Sequence, residues 1–129
     1  RIGFVTPVYL WGLPDIVVRF VQRLQMTGIR HNFIYHVVTF GTTTGQAHYM
    51  MKKLLQDKGL WLDAKYNVRM VDVWTPMFDV SDREKCLRKT SEAEKNIDKV
   101  IDMAVSRTAG NYDHLRLTHW LARWYYRTY

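Results

Sequence analysis

Cysteine is nearly absent. Cys86 is the single thiol among 129 residues, which excludes a disulfide framework, a Cys-x-x-Cys redox pair and a cysteine-ligated iron–sulfur cluster within this chain. A reducing, cytoplasmic setting is the expectation. Long hydrophobic runs are missing too: His, Arg, Lys or Asp interrupts each apolar stretch before it reaches the roughly 18 to 20 residues a spanning helix needs. The start carries no signal-peptide pattern, so no membrane partner is expected. Proline is limited to Pro7, Pro14 and Pro76, and no linker, repeat or low-complexity tract divides the chain, which leaves residues 1–129 as a single domain. Histidine is sparse and badly spaced for a metal. His31 and His36 fall on opposite sides of one strand, His114 and His119 are five apart on a helix, and His48 is isolated.

Acidic residues are also in deficit, 12 against 19 Lys and Arg, for a formal charge of +7. Such a charge attracts nucleic acid, anionic surfaces, acidic proteins or a cofactor phosphate alike. The most charged segment, 82–107, carries seven basic and six acidic residues and reads as a solvated helix face. The excess is spread elsewhere, which weakens a nucleic-acid reading. Near the end, His114, Arg116, His119, Arg123 and Arg127 accompany Trp120, Trp124 and Tyr125. Stacking on nucleic acid is one use of that stripe; an amphipathic helix packed on the domain is the favoured one.

What is present is a core, with 47% hydrophobic and 14% aromatic residues, and a rhythm. Ile2 to Val5 is a short apolar run ended by Thr6-Pro7. Pro14 and Asp15 open a helix, since proline is preorganised at the first helical position and a carboxylate suits the positive helix end. Its stripe is Ile16, Val17, Phe20, Val21 and Leu24, and it is expected to reach about Met26, with Gly28 as its stop. His31 to Phe40 is nearly continuous in apolar residues, as a parallel strand covered on both faces requires. A second helix opens near Thr44-Gly45 with Ala47, Met50, Met51, Leu54 and Leu55 inward, ending at Lys58-Gly59. A third strand is expected within Tyr66 to Trp74, near the sheet edge. Ser81-x-x-Glu84 matches a capping box, followed by a long helix marked by Leu87, Ala93, Ile97, Val100, Ile101 and Ala104 and stopped at Gly110-Asn111. Leu117, Trp120, Leu121, Trp124 and Tyr125 suggest a last helix. Strand starts near 2, 31 and 66 are spaced like successive βα units.

Two segments then stand out, Pro7-Val8-Tyr9-Leu10-Trp11-Gly12-Leu13-Pro14 and Thr39-Phe40-Gly41-Thr42-Thr43-Thr44-Gly45. Each follows a strand pattern and precedes a helix pattern, so in a parallel sheet both lie at the carboxyl edge, where such folds bind ligands. A flat, aromatic, hydrogen-bonding guest suits them. The plainer alternatives are turn punctuation for Pro7, Gly12 and Pro14, ordinary rim aromatics for Tyr9 and Trp11, and a helix-capping turn for the threonines. Cys86 is most simply a free thiol, and Met50 and Met51 are core residues.

These segments resemble the flavodoxin-like domains of bacterial flavodoxin plus ferredoxin fusion proteins, through Pro7-Val8-Tyr9-x-Trp11-Gly12-x-Pro14, the Thr-x-Gly-rich loop from Thr39 to Gly45 and, more loosely, Val68-Arg69-Met70, Pro76-Met77-Phe78 and the long charged helix. The resemblance runs over nearly the whole chain as the carboxyl two-thirds of that domain. It implies a three-layer α/β sandwich with a parallel sheet, FMN as cofactor and electron transfer as function. Pro7, Tyr9, Trp11 and Gly12 would flank one side of the flavin and Thr39, Phe40, Gly41, Thr42 and Gly45 the other, with no catalytic side chain and no metal. It also implies that a first strand, a phosphate loop and a second strand belong before Arg1, and that the electron partner is a ferredoxin module or another redox protein. With that first strand missing, the Ile2 to Val5 edge is expected to be open to a homodimer contact. Two other functions stay open: a flavin-free module that binds protein or nucleic acid through basic and aromatic surface, and a flavin-dependent quinone or nitro-reductase.

Overall fold

The computed structural model describes residues 1–29 and 32–112. His31 and the aromatic and basic residues from His114 to Arg127 lie outside the described residues. Four strands and three helices follow in the order β1 (Ile2–Pro7), α1 (Asp15–Arg23), β2 (Ile34–Phe40), α2 (Ala47–Gln56), β3 (Ala64–Arg69), α3 (Arg83–Val105) and β4 (Gly110–Asn111). The sheet runs β1-β2-β3-β4 with every neighbouring pair parallel. This is the α/β layered arrangement that the βα rhythm anticipates.

Strand alternation sorts the core into two faces. Ile34, Val38 and Phe40 of β2 pack with Val21 of α1 and Ala47, Met51 and Leu55 of α2, with Ile2 and Phe4 of β1 beside them. On the opposite face Val37 meets Ala64, Tyr66 and Val68 of β3 and Ala93, Val100 and Ala104 of α3. The sheet is therefore sandwiched between the α1/α2 layer and α3, which explains why β2 is apolar almost throughout.

Several boundaries differ from expectation for identifiable reasons. The first helix ends at Arg23, because Leu24 is already extended (φ −62°, ψ 121°). It is also rolled: Val17, Val18 and Val21 face the core, whereas Ile16 and Phe20 are 77% and 58% exposed. The long helix is capped by Asp82, whose carboxylate accepts from the Lys85 N–H at 3.0 Å, while Ser81 is held by Asp79. A carboxylate at the N-cap meets both the orphan N–H groups and the helix dipole, and so displaces the serine. At the far end Arg107 adopts φ 53° and the Thr108 N–H reaches the Met103 carbonyl at 2.8 Å, a Schellman closure made without glycine. Gly110 and Asn111 consequently extend the sheet as β4, beside β3. The third strand begins at Ala64, earlier than expected, with Asp63 bridging to β2 through its N–H on the Ile34 carbonyl (2.8 Å) and its carboxylate on the Ile34 N–H (2.7 Å). Among the described residues no helix is long and apolar enough to cross a membrane.

Candidate functional site

Pro7 and Thr39 are register partners at the ends of β1 and β2, so the two segments singled out in the sequence leave the sheet side by side. In the first, Tyr9 and Gly12 exchange backbone hydrogen bonds of 3.0 Å in both directions. Leu10 and Trp11 between them have φ 46° and 63°. Positive φ at both central residues is the geometry of a tight hairpin turn that glycine and asparagine ordinarily occupy. Two non-glycine residues held there store about 1–2 kcal/mol each, a strain that persists only where the surroundings impose it. The turn also presents its side chains outward, with Tyr9 63%, Leu10 77% and Trp11 49% exposed, while Gly12 is buried.

The second segment supplies what imposes it. The Gln46 N–H donates to the Trp11 carbonyl at 2.7 Å. Gly45, at φ 51°, lies so close to that carbonyl that a Cβ would collide with it. Gly45 is thus required twice, by its dihedral and by the approach of the neighbouring loop. Its N–H is turned to Thr43 Oγ1 (3.1 Å), and Thr44 is wholly buried. A third segment joins after β3: Thr42 Oγ1 donates to Asp72 (3.0 Å), a Cβ on Gly41 would overlap the Asp72 side chain, and the Arg69 Nε–H reaches the Gly41 carbonyl (3.1 Å).

Of the residues expected at the site, Trp11 and Gly45 are in direct backbone contact, and Tyr9 and Gly12 close the same turn. Gly41 and Thr42 sit together on Asp72. Phe40 departs from the group: its ring is buried in the α1/α2 core and its carbonyl accepts from the Met70 N–H at 2.7 Å. Sequence reasoning missed Gln46, Asp72 and a histidine pair. His36 and His48, twelve residues apart, stack edge to face with centroids 4.7 Å apart and Nδ1 atoms 2.9 Å apart. His36 Nε2 is 2.9 Å from Thr6 Oγ1, and His48 Nε2 is 2.7 Å from Asn67 Oδ1, whose amide in turn donates to the Tyr112 carbonyl at 3.3 Å.

Donor bookkeeping orders this chain. Asn67 Oδ1 only accepts, so His48 Nε2 carries a proton; a neutral His48 then accepts at Nδ1 from His36, and His36 Nε2 accepts from Thr6. One neutral arrangement satisfies every member. Burial, and next the neighbouring His48 ring, hold the His36 imidazole well below its usual value. The line runs directly beneath the loops, since Thr6 precedes Pro7 and His48 follows Ala47.

A cavity of about 620 Å³ opens elsewhere, between β3, α3 and Tyr112, with Arg69 and Lys99 on its wall; apart from Phe40, none of the expected site residues lines it. Among the described residues no three His, Cys, Asp or Glu are grouped to hold a metal ion. Comparison with family models, curated proteins and solved structures finds no match to this chain.

Proposed function

We propose that this chain is a flavodoxin-like electron-transfer domain, or part of one, that holds the ring of FMN between the Pro7–Pro14 and Thr39–Gly45 segments. The observation that carries the reading is the Gln46 N–H to Trp11 carbonyl bond, which fastens the two carboxyl-edge loops to each other. In parallel α/β sheets that edge is where ligands bind, flavodoxin itself being the standard example of FMN in such a crevice. An isoalloxazine needs a flat apolar face and hydrogen-bonding groups for its polar edge. Tyr9 and Trp11 supply exposed rings on a strained turn, and the buried Gln46 Nε2 has no hydrogen-bond partner among the described residues, an unused donor suited to a ring-edge acceptor. When bound, the flavin supplies the electron chemistry, and the chain supplies binding and orientation.

None of the residues expected at the site is assigned to the phosphate, so the ring alone is the appropriate probe beside FMN. Riboflavin and FMN are expected to bind with affinities within a few-fold of each other. Trp11→Ala is expected to weaken both by about tenfold, the worth of one stacked aromatic, measured by quenching of flavin fluorescence. Equal affinities for wild type and variant would remove Trp11 from the site. The exposed Leu10, Val73 and Met77 (77%, 78% and 69%) on segments following β1 and β3 favour a protein partner docking at this edge, a redox protein in the flavin reading. They also support the second reading, a flavin-free interaction module, which a protein that captures a partner but takes up neither flavin would establish. The side of β1 away from β2, unpaired among the described residues, is a place for a second copy of the chain.

A further inference from the structure

Gln46 occupies the N-cap position of α2, yet its side chain makes no capping bond. Its backbone is fully used: the N–H goes to the Trp11 carbonyl at 2.7 Å and the carbonyl takes the Met50 N–H at 2.8 Å. The side chain is only 7% exposed, and its Nε2 is buried without a partner among the described residues. A buried amide donor left unmatched is uncommon in native proteins and calls for a reason. It sits at the positive end of a ten-residue helix, where an electron-rich group is additionally favoured. The other side of the Gln46–Trp11 bond carries the two positive-φ residues Leu10 and Trp11. An unmatched donor and a strained turn therefore adjoin across one hydrogen bond, at the junction of the two loops.

We propose that Gln46 is a ligand-binding residue: its carboxamide Nε2 donates to a carbonyl oxygen or unprotonated ring nitrogen on the edge of a planar heteroaromatic ligand seated between the Tyr9–Gly12 turn and the 41–45 loop. The proposal rests on the flavin reading above and specifies the group that meets the ring edge. Movement of the turn on ligand entry uncovers the amide, and the ligand acceptor then satisfies it.

Gln46→Met removes the donor at nearly constant length and Gln46→Glu replaces it by an acceptor of the same shape. The full chain and both variants are titrated with riboflavin and with FMN by fluorescence quenching, and their ligand-free thermal unfolding is recorded in parallel. The expected result is that Gln46→Met binds both flavins about threefold to tenfold more weakly, the loss of one net hydrogen bond, with ligand-free Tm unchanged or raised because an unmatched buried donor has gone. Gln46→Glu is expected to bind at least tenfold more weakly. Unchanged affinity in Gln46→Met, with wild type binding, overturns the role of Gln46 alone. A fall in ligand-free Tm of Gln46→Met that accounts for its weaker binding assigns Gln46 a structural role and also overturns the proposal. Should that variant not fold, wild-type affinity in Gln46→Glu overturns it equally. A wild type that takes up neither flavin overturns the flavin reading and this inference with it.

Discussion

His36 shows how much a single buried side chain can dictate. It lies wholly inside the protein, between Thr6 and His48, and burial, with the neighbouring His48 ring next, disfavours its charged form. The unfolded chain releases that constraint, and its imidazole takes up a proton below about pH 6.5. From there downward the unfolded state binds more protons than the native one, so stability falls with pH until the native His36 itself titrates. Above about pH 7 this contribution is constant. The urea midpoint is therefore expected to drop between pH 7 and pH 5, and the drop should be visibly smaller in His36→Gln, itself about 1–3 kcal/mol less stable at pH 7 through the unmatched partners it leaves. Parallel pH profiles for the two proteins would refute the assignment. None of this was legible in the sequence, where His48 looked isolated. The pairing depends on how α2 settles against β2, and residue spacing does not encode that angle. The loop glycines were legible as turn residues, but the reason Gly45 admits no side chain lies in Trp11, 34 positions away.

At the level of elements, hydrophobic periodicity located all three described helices and the three longer strands, and it misjudged orientation. Ile16, Val17, Phe20, Val21 and Leu24 span too wide an arc for all to face inward. Packing against α2 and β2 chose the side bearing Val17, Val18 and Val21. Val21→Ala is accordingly expected to cost roughly 1.5 to 3 kcal/mol, and Ile16→Ala no more than about 0.5, by chemical denaturation. Comparable losses would mean that the helix is rolled the other way. The same effect recurs on α3, where Ala93, Val100 and Ala104 are buried while Leu87, Ile97, Ile101 and Val105 are 58%, 38%, 52% and 56% exposed. Small residues permit close approach to the sheet, so the larger apolar side chains are left along the flank. Strand β4 escaped notice because two residues carry no period, and its partner is set by the Schellman closure upstream.

For the whole molecule, the spacing of strand starts was enough to indicate a parallel α/β sheet, since each βα unit has a characteristic length. Which edge is open follows from strand order, and order is a tertiary fact. Among the described residues β1 has a partner on one side only. The Ile2 N–H is directed to β2 through the Phe33 carbonyl at 2.9 Å, and alternation turns the backbone of Gly3 and Val5 outward. Val5 is 68% exposed. Parallel sheets rarely leave such an edge uncovered. Concentration-dependent self-association of this chain is expected by light scattering, and Val5→Lys, which places a charge on that edge, should shift it toward monomer. A monomer at all concentrations, in wild type and variant alike, would show that the edge recruits nothing.

The bonded line from Thr6 to the Tyr112 carbonyl has one more consequence, in time rather than energy. The His36 ring is wholly buried, so its proton can be traded for deuterium only when the strands and helix around it part. The lifetime of the His36 ring proton thus serves as an internal clock for the parting of β1, β2 and α2 around it, running without any dye or label. A guest that seals the two loops would slow that clock.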